Sequence, residues 1–341
     1  MTIKKNVSLK DKNWFQTGGL ARFFAQPKTE IEFQEAINFA KSNNLPMEIL
    51  GEGANVLISD DGFDGLIINP KLKTLRYTST SQNSVSALRV IGMQNKPVRL
   101  ECPSKPLGED GCIERLSERV TADAGITIQE LIDFCLENNL IGLEEFSGIP
   151  GTVGGSVYIN IHYFDFFLSD FLVKAKVINK NTGKIETVPK SWFEFGYDKS
   201  KLLGKEHFLL SATFQLKKAT DIETAYAKGR RDEIIRQRNS RYPTSHTCGS
   251  FFRNFYEHEM KNVKNAKPLK FVAYYLDKLG IKGSLNHGDA IVSYKHANMI
   301  VSQGNATTND IMNLAKKIQS MCQKEFNIIP QLECQIIGAV K

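Results

Sequence analysis

The sequence predicts an α+β fold in which two lobes of one plan hold a single extended ligand between them. Three observations carry that prediction. The stretch GIPGTVGG, Gly148–Gly155, packs four glycines and a proline into eight residues. A second glycine loop, GEGANVL at Gly51–Leu57, follows the mostly apolar segment Pro46–Leu50. Each loop is preceded by a capped helical pattern that closes on Asn-Asn-Leu. Dense glycine lets bare backbone N–H groups approach a ligand closely, and a diphosphate rewards that approach most. Neither loop fits the P-loop or the G-x-G-x-x-G dinucleotide pattern. The expected ligand is therefore a phosphate-bearing cofactor held in another way.

The elements follow in order. Residues 13–75 alternate short strands with one helix, opened by Thr29 and Glu32 as a capping box and running to Asn43–Leu45. Residues 76–118 have a Ser/Thr-rich start followed by CPSKPLGEDGC, Cys102–Cys112, and suggest an insertion or elaborated hairpin. Within them, Val98–Glu101 is a candidate strand. Residues 119–217 return to strand, helix, glycine loop and strands, with Thr127 and Glu130 boxing a helix that ends at Asn138–Leu140. Asn181-Thr-Gly183 predicts a hairpin turn between Val173–Asn179 and Ile185–Val188.

A boundary is expected near Lys217–Asp221, where strand pattern gives way to a basic helix over Ala225–Arg241. Most of its cations predict a solvated face, with one or two left to meet a phosphate. Leu269–Leu279 predicts a helix closed by Gly280. Ile311, Leu314, Ala315, Ile318, Met321, Cys322 and Phe326 recur at helical spacing after Thr307–Asp310, giving an amphipathic helix with a core stripe. The expected domains are 1–218 and 219–341.

Bulk composition excludes several classes. A chain of 341 residues, 41% hydrophobic and 24% charged, has the balance of an ordinary soluble protein with two domains. The net charge of +7 suits phosphorylated small molecules, though generic basicity explains it equally. No arginine-rich tail or zinc-finger spacing supports nucleic acid. The start MTIKKNVSLKDKNWF lacks an apolar run, and Val157–Val173 is broken by His162, Asp165 and Asp170, so no membrane span is expected. Six cysteines without C-x-x-C pairing predict reduced thiols in the cytoplasm. Six histidines without metal spacing predict no structural metal, and no obligate protein partner is implied.

Several stretches combine into a family pattern: GGLARFFAQP (Gly18–Pro27), GEGANVLISDDGFDG (Gly51–Gly65), GLEEFSGIPGTVGGSVYIN (Gly142–Asn160) and CGSFFRN (Cys248–Asn254). With HGDAIVSYKHANMIV (His287–Val301), NATTNDI (Asn305–Ile311) and LECQIIG (Leu332–Gly338), they resemble the UDP-N-acetylenolpyruvoylglucosamine reductase (MurB) family. The resemblance runs from about Asn13 to Gly338 and leaves out mainly residues 76–118. It implies an FAD-binding unit of the vanillyl-alcohol-oxidase (PCMH) type over the first two lobes, then a C-terminal α+β substrate-binding domain. It also implies non-covalent FAD, NADPH as co-substrate, and a UDP-sugar substrate.

Carried across, Gly51, Gly53, Ala54, Asn55 and Val56 would hold the FAD diphosphate. Gly148, Ile149, Gly151, Thr152, Gly154 and Gly155 would line the other side of the flavin. Ser250 matches the proton donor, Asn254 a substrate contact, and Glu333 the acidic catalytic residue. The residue types suit the chemistry, in which hydride reaches the terminal CH₂ of an enolpyruvyl ether and charge develops as an enolate. A serine hydroxyl is a weak acid, so it needs fixed geometry to deliver a proton. A glutamate in an apolar strand has its pKa raised by desolvation and can hydrogen-bond the substrate carboxylate.

Three departures stand out. The resemblance places a catalytic arginine after Tyr197, where this chain has Asp198, so that role is not carried over. Asn160 is followed by Ile161, His162, Tyr163 and Phe164 instead of small residues and glycine. Arg253 and Phe255 replace lysine and proline. Lys199, Lys201, Arg231 and Arg238 are the candidate compensating cations. Two alternatives stay open: a related flavin oxidoreductase with another substrate, and a catalytically silent protein that binds FAD or a sugar nucleotide.

Overall fold

The computed structural model describes residues 1–79 and 117–339. The candidate strand Val98–Glu101 and the Cys102–Cys112 stretch lie outside these residues. The first lobe is a four-stranded sheet in the order Ile3–Ser8, Leu20–Ala25, Phe63–Ile68, Met47–Ile49. Its first pair is antiparallel and the other two are parallel. Helix α1, Glu30–Ser42, buries Phe33, Ala36, Ile37 and Ala40 at helical spacing.

The second lobe is built on a sheet ordered Ile185–Pro189, Leu172–Asn179, His207–Lys218, Ser117–Asp123, Leu75–Thr78, with Leu140–Ile141 attached to His207–Lys218. Helices α2, Ile128–Glu137, and α3, Val153–Ile159, contribute to its core. The two lobes share a core: Phe33 packs on Phe208 with ring centroids 6.2 Å apart, and Ile178 and Leu210 join the first-lobe cluster.

The duplicated plan is borne out in detail. Thr127 and Glu130 form a complete capping box, whereas Thr29 caps α1 and Glu32 reaches one residue further back, to the N–H of Lys28. Both helices then stop in the same way. Asn44 and Asn139 each take the left-handed conformation, with φ of 50° and 53°, which asparagine tolerates better than most residues. The Asn181–Gly183 hairpin is present as predicted, with Gly183 at φ 70°.

The basic helix α4 spans Asp221–Arg241, boxed by Thr220 and Glu223, and its Ala227 enters the second-lobe core. Helix α5 covers Val272–Lys278 and begins three residues later than predicted. Leu269 is held outside the helix because its N–H donates to the Tyr275 hydroxyl. Helix α6, Thr308–Phe326, carries the predicted stripe into a third core with Phe251, Phe252 and Tyr275. That core also takes Phe15 and Leu57 from the first lobe. Finally the chain returns: Gln335–Ile337 pairs in parallel with Val56–Ile58, immediately after the first glycine loop. Glu333 therefore lies just ahead of this strand rather than inside it. Among the described residues no helix is long and apolar enough to cross a membrane.

Candidate functional site

Each glycine loop is pinned by one amide side chain. Asn69 donates to the carbonyls of Leu50 and Gly51 at 2.6 and 2.9 Å. Gln129 donates to the Ile149 carbonyl at 3.0 Å and accepts the Gly148 N–H at 3.1 Å. The carbonyls of Gly53 and Asn55 accept from Trp14 and Gln335, which turns this loop's oxygens into the protein. The loops approach closely: a Cβ on Gly51 would stand 2.7 Å from the Thr152 hydroxyl oxygen. Gly53 has φ 68°, and a Cβ there would meet the Lys12 carbonyl at 2.4 Å. At Gly53 only glycine fits, and at Gly51 any larger residue has to displace the Thr152 hydroxyl.

Between the loops lies a cavity of ≈ 160 Å³, lined by Gly51, Gly53, Ala54, Asn55, Val56, Gly151, Thr152, Gly154 and Gly155. Nine of the predicted cofactor contacts thus converge in one place. Gly148 and Ile149 do not join them and instead line the neighbouring cleft. The loops are also bridged by an anion, since the Glu52 carboxylate accepts the Gly151 N–H at 2.7 Å. Asn55 keeps a buried Oδ1 without a partner.

The neighbouring cleft, ≈ 410 Å³, shares the wall Ala54, Asn55, Pro150, Ile159 and Ile161 with the first cavity. It collects Ser250, Asn254 and Glu333, residues far apart in sequence. A short antiparallel contact explains the meeting: Phe252 bridges to Leu332, the Glu333 N–H donates to the Phe251 carbonyl at 2.9 Å, and Arg253 N–H donates to Gln331. Asn298 fixes the same segment by accepting the Phe252 N–H and donating to its carbonyl. Ser250 follows Gly249, which has φ 80°, and precedes two buried phenylalanines.

The electrostatics of this cleft are unusual. Burial first, then the charges of Asp198 and Cys334, push the Glu333 carboxyl well above the usual carboxylate range. Burial likewise raises the Cys248 thiol, which contacts Cys334. Asn254 donates to the Tyr197 hydroxyl at 2.9 Å and accepts the Val272 N–H at 3.1 Å, so its orientation is set. Burial holds Arg238 below its ordinary pKa, and its guanidinium lies over Tyr163 and Tyr242 at 5.8 and 5.1 Å.

Of the four candidate cations only Arg238 lines the cleft. Lys201 pairs with Glu194, Arg231 pairs with Asp133, and Lys199 is exposed. His162 lines the cleft and faces Asp198, Nδ1 to Oδ1 at 3.4 Å, a meeting of residues 36 positions apart that no local pattern signals. The two departures from the family pattern are therefore one structural feature. No cluster of metal-binding side chains occurs among the described residues.

Comparison with known proteins agrees with this geometry. Residues 241–337 match the family described as UDP-N-acetylenolpyruvoylglucosamine reductase, C-terminal domain, and residues 112–189 match an FAD binding domain. A UDP-N-acetylenolpyruvoylglucosamine reductase from Clostridium novyi is 28% identical, covering 98% of this chain and 92% of that protein. One from Listeria monocytogenes is 29% identical, covering 100% and 97%. Among solved structures, the UDP-N-acetylenolpyruvylglucosamine reductase of Thermus caldophilus superposes with a TM-score of 0.71 at 23% identity, over 99% of this chain and 100% of that one. The two-lobed cofactor-binding unit followed by a C-terminal α+β domain is thus the fold observed.

Proposed function

Because this chain belongs to the UDP-N-acetylenolpyruvoylglucosamine reductase family, we propose that Ser250 and Glu333 complete that family's reduction on a substrate seated in the larger cleft. The enzyme is an FAD-dependent oxidoreductase of peptidoglycan precursor synthesis, with NADPH as reductant and a UDP-sugar as substrate. One observation carries the residue assignment. Ser250, Asn254 and Glu333 meet in a cleft that shares a wall with the glycine-lined cavity.

The residues present fit FAD. The cavity is narrowed at Gly51, where a Cβ would press on Thr152 of the opposite loop, and the Gly151 N–H on its wall already donates to a carboxylate. Gly51, Gly53, Ala54, Asn55 and Val56 would hold the diphosphate from one side, with Gly151, Thr152, Gly154 and Gly155 opposite. Gly148 and Ile149 face the neighbouring cleft, on the substrate side of the shared wall. The chemistry FAD supplies when bound is delivery of a hydride, drawn from NADPH, to the enolpyruvyl double bond.

Everything else falls to the chain itself. Ser250 holds a proton for the α-carbon, and the left-handed Gly249 with the packed Phe251 and Phe252 keeps its hydroxyl in place. Glu333, whose carboxyl burial pushes well above the usual carboxylate range, is the group to donate a hydrogen bond to the substrate carboxylate as charge builds on it. Asn254, oriented by Tyr197 and Val272, faces the substrate with its remaining N–H. Arg238, which among the described residues has an unpartnered Nε and no carboxylate bound to it, is the cation for the sugar-nucleotide diphosphate.

We assign residues 1–218 to the cofactor-holding unit and 219–341 to the substrate-facing domain, and place the enzyme in the cytoplasm, where both nucleotides are found. A second reading has one observation in its favour: Asp198 puts a carboxylate near Glu333 and the site of an anionic substrate, so a related substrate without a carboxylate would suit it. Steady-state NADPH consumption with and without the enolpyruvyl sugar nucleotide decides. Consumption that depends on this substrate supports the reductase. Consumption that ignores it and requires another acceptor supports the second reading.

A further inference from the structure

We propose that His162, positioned by Asp198, receives the carboxylate of the enolpyruvyl ether at the reacting end of the cleft. This rests on the reductase reading above and names a binding group within the same site. The argument begins with what holds the imidazole. His162 belongs to a small hairpin, His162–Tyr163 paired with Phe166–Phe167. Its ring stacks on Phe167 at 5.5 Å and leans on Tyr197 at 4.6 Å, so two aromatic faces fix its plane.

Asp198 is fixed just as firmly. It sits at φ 49°, an uncommon conformation for a non-glycine residue, in a tight turn closed by reciprocal hydrogen bonds between Gly196 and Lys199. Asn160 anchors that turn to the hairpin side by donating to the Gly196 carbonyl at 3.0 Å and accepting the Ser169 N–H at 3.1 Å. Ser200 ties the other end to the Tyr158 carbonyl at 2.5 Å. The turn presents Asp198 Oδ1 to Nδ1 of His162 at 3.4 Å, and among the described residues neither that Nδ1 nor Asp198 Oδ2 has a hydrogen-bond partner. His162 lines the cleft and Asp198 does not, so the imidazole stands between the carboxylate and the cleft. With Nδ1 facing Asp198, Nε2 is the ring nitrogen left for a ligand.

The charges around the cleft leave few other choices. From the C-terminal segment come Glu333 and Cys334, and from residues 248–254 come Cys248 and Arg253. Arg253 is committed to Glu259 through two bonds of 2.8 Å. The turn itself adds Tyr197, and the loop before Asn298 adds His296. Arg238 from α4 lies against Tyr163 and Tyr242. A substrate carboxylate entering near Asp198 meets that residue's negative charge and needs a hydrogen-bond donor on that side. His162 is the ring-nitrogen group that stands there, on the cleft wall against Asp198.

Titration calorimetry on the purified FAD-loaded protein tests this with two ligands, the enolpyruvyl sugar nucleotide and its carboxamide analogue. His162→Phe keeps the ring stacking and removes both nitrogens. It should weaken the carboxylate ligand roughly 10–100-fold, the usual range for a charge-assisted hydrogen bond, and leave the carboxamide within about 3-fold. Asp198→Asn should weaken the carboxylate ligand about 10-fold, and Asp198→Glu should recover part of that loss. Flavin content and melting temperature report whether each variant is folded. Equal weakening of both ligands, or no change with either, overturns the proposal. If the unaltered protein binds neither ligand, the reductase reading fails and the proposal fails with it.

Discussion

The Glu52 carboxylate accepts the Gly151 N–H at 2.7 Å, so a side chain from one glycine loop closes on the backbone of the other. A diphosphate between the loops competes with it for donors and is repelled by its charge. Like charges near a protein surface interact with an energy of a few kcal/mol at most. Glu52→Gln should therefore retain FAD about 5–10-fold more tightly, as read by equilibrium dialysis. Unchanged or weaker retention would show that Glu52 closes the cradle rather than competing for it.

Gly51 tests the same cradle from the other side. A methyl group there meets the Thr152 hydroxyl, which itself caps α3 by accepting the Gly155 N–H at 3.2 Å. Moving the hydroxyl away sacrifices a cap worth about 1 kcal/mol. Gly51→Ala should lower flavin content at least about 10-fold and the unfolding free energy by about 1 kcal/mol. A yellow, fully loaded variant would remove this contact from the account of cofactor binding.

Ser250→Ala separates the two halves of the cycle. Reduction of bound flavin by NADPH asks nothing of the hydroxyl, whereas protonation of the α-carbon does. Stopped-flow reoxidation by the enolpyruvyl sugar nucleotide should slow by roughly 10²–10⁴-fold, the usual range for a general acid, with flavin reduction spared. An equal loss in both halves would exclude Ser250 as the proton donor.

Much of this architecture was legible because it is locally encoded. Capping threonines, Asn-Asn-Leu stops, glycine loops and the stripe of α6 are written in neighbouring residues, and the structure returns them within a few positions. What could not be read depends on distant parts of the chain meeting. Gln335–Ile337 pairs with Val56–Ile58 across nearly the whole sequence, and that pairing delivers Glu333 to the cleft. His162 and Asp198 looked like two unrelated departures until the turn held by Asn160 put them 3.4 Å apart. Arg231 and Arg238 lie on one helical face, yet two turns of rise, about 10 Å, take one to Asp133 and the other into the cleft. The loop pins Asn69 and Gln129 carried no sequence signal beyond being amides near glycine.

The Glu333 carboxyl makes a pH prediction with a definite sign. Its folded pKa is raised by burial and then by Asp198, so the native state holds this proton more tightly than the unfolded chain does. The stability this contributes is fully present below the unfolded value, about 4.3, and is lost as pH rises toward the folded value. Glu333→Gln has no such proton to lose. Its unfolding free energy relative to the parent should therefore rise between pH 5 and 8, with a slope of at most ~1.4 kcal/mol per pH unit. The same variant should reoxidise flavin slowly at every pH in that range. A stability difference that stays flat with pH would mean that Glu333 is ionised in the folded protein.

Arg238 should show stability and function moving apart. Among the described residues it is a buried cation with an unpartnered Nε and no carboxylate at hand, so its desolvation cost stays uncompensated until an anion arrives. Arg238→Met keeps much of the apolar stem that packs on Tyr163 and Tyr242 and removes the charge. The free variant should melt at or above the parent temperature, because no ion pair is broken. Its affinity for the sugar nucleotide should nevertheless fall about 10–100-fold, and inorganic diphosphate should compete more weakly by a similar factor. Arg231→Met supplies the contrast: its partner is Asp133, away from the cleft, so sugar-nucleotide affinity should hold. If Arg238→Met binds the sugar nucleotide as the parent does, the diphosphate lies elsewhere and Arg238 serves only to pack the mouth of the cleft.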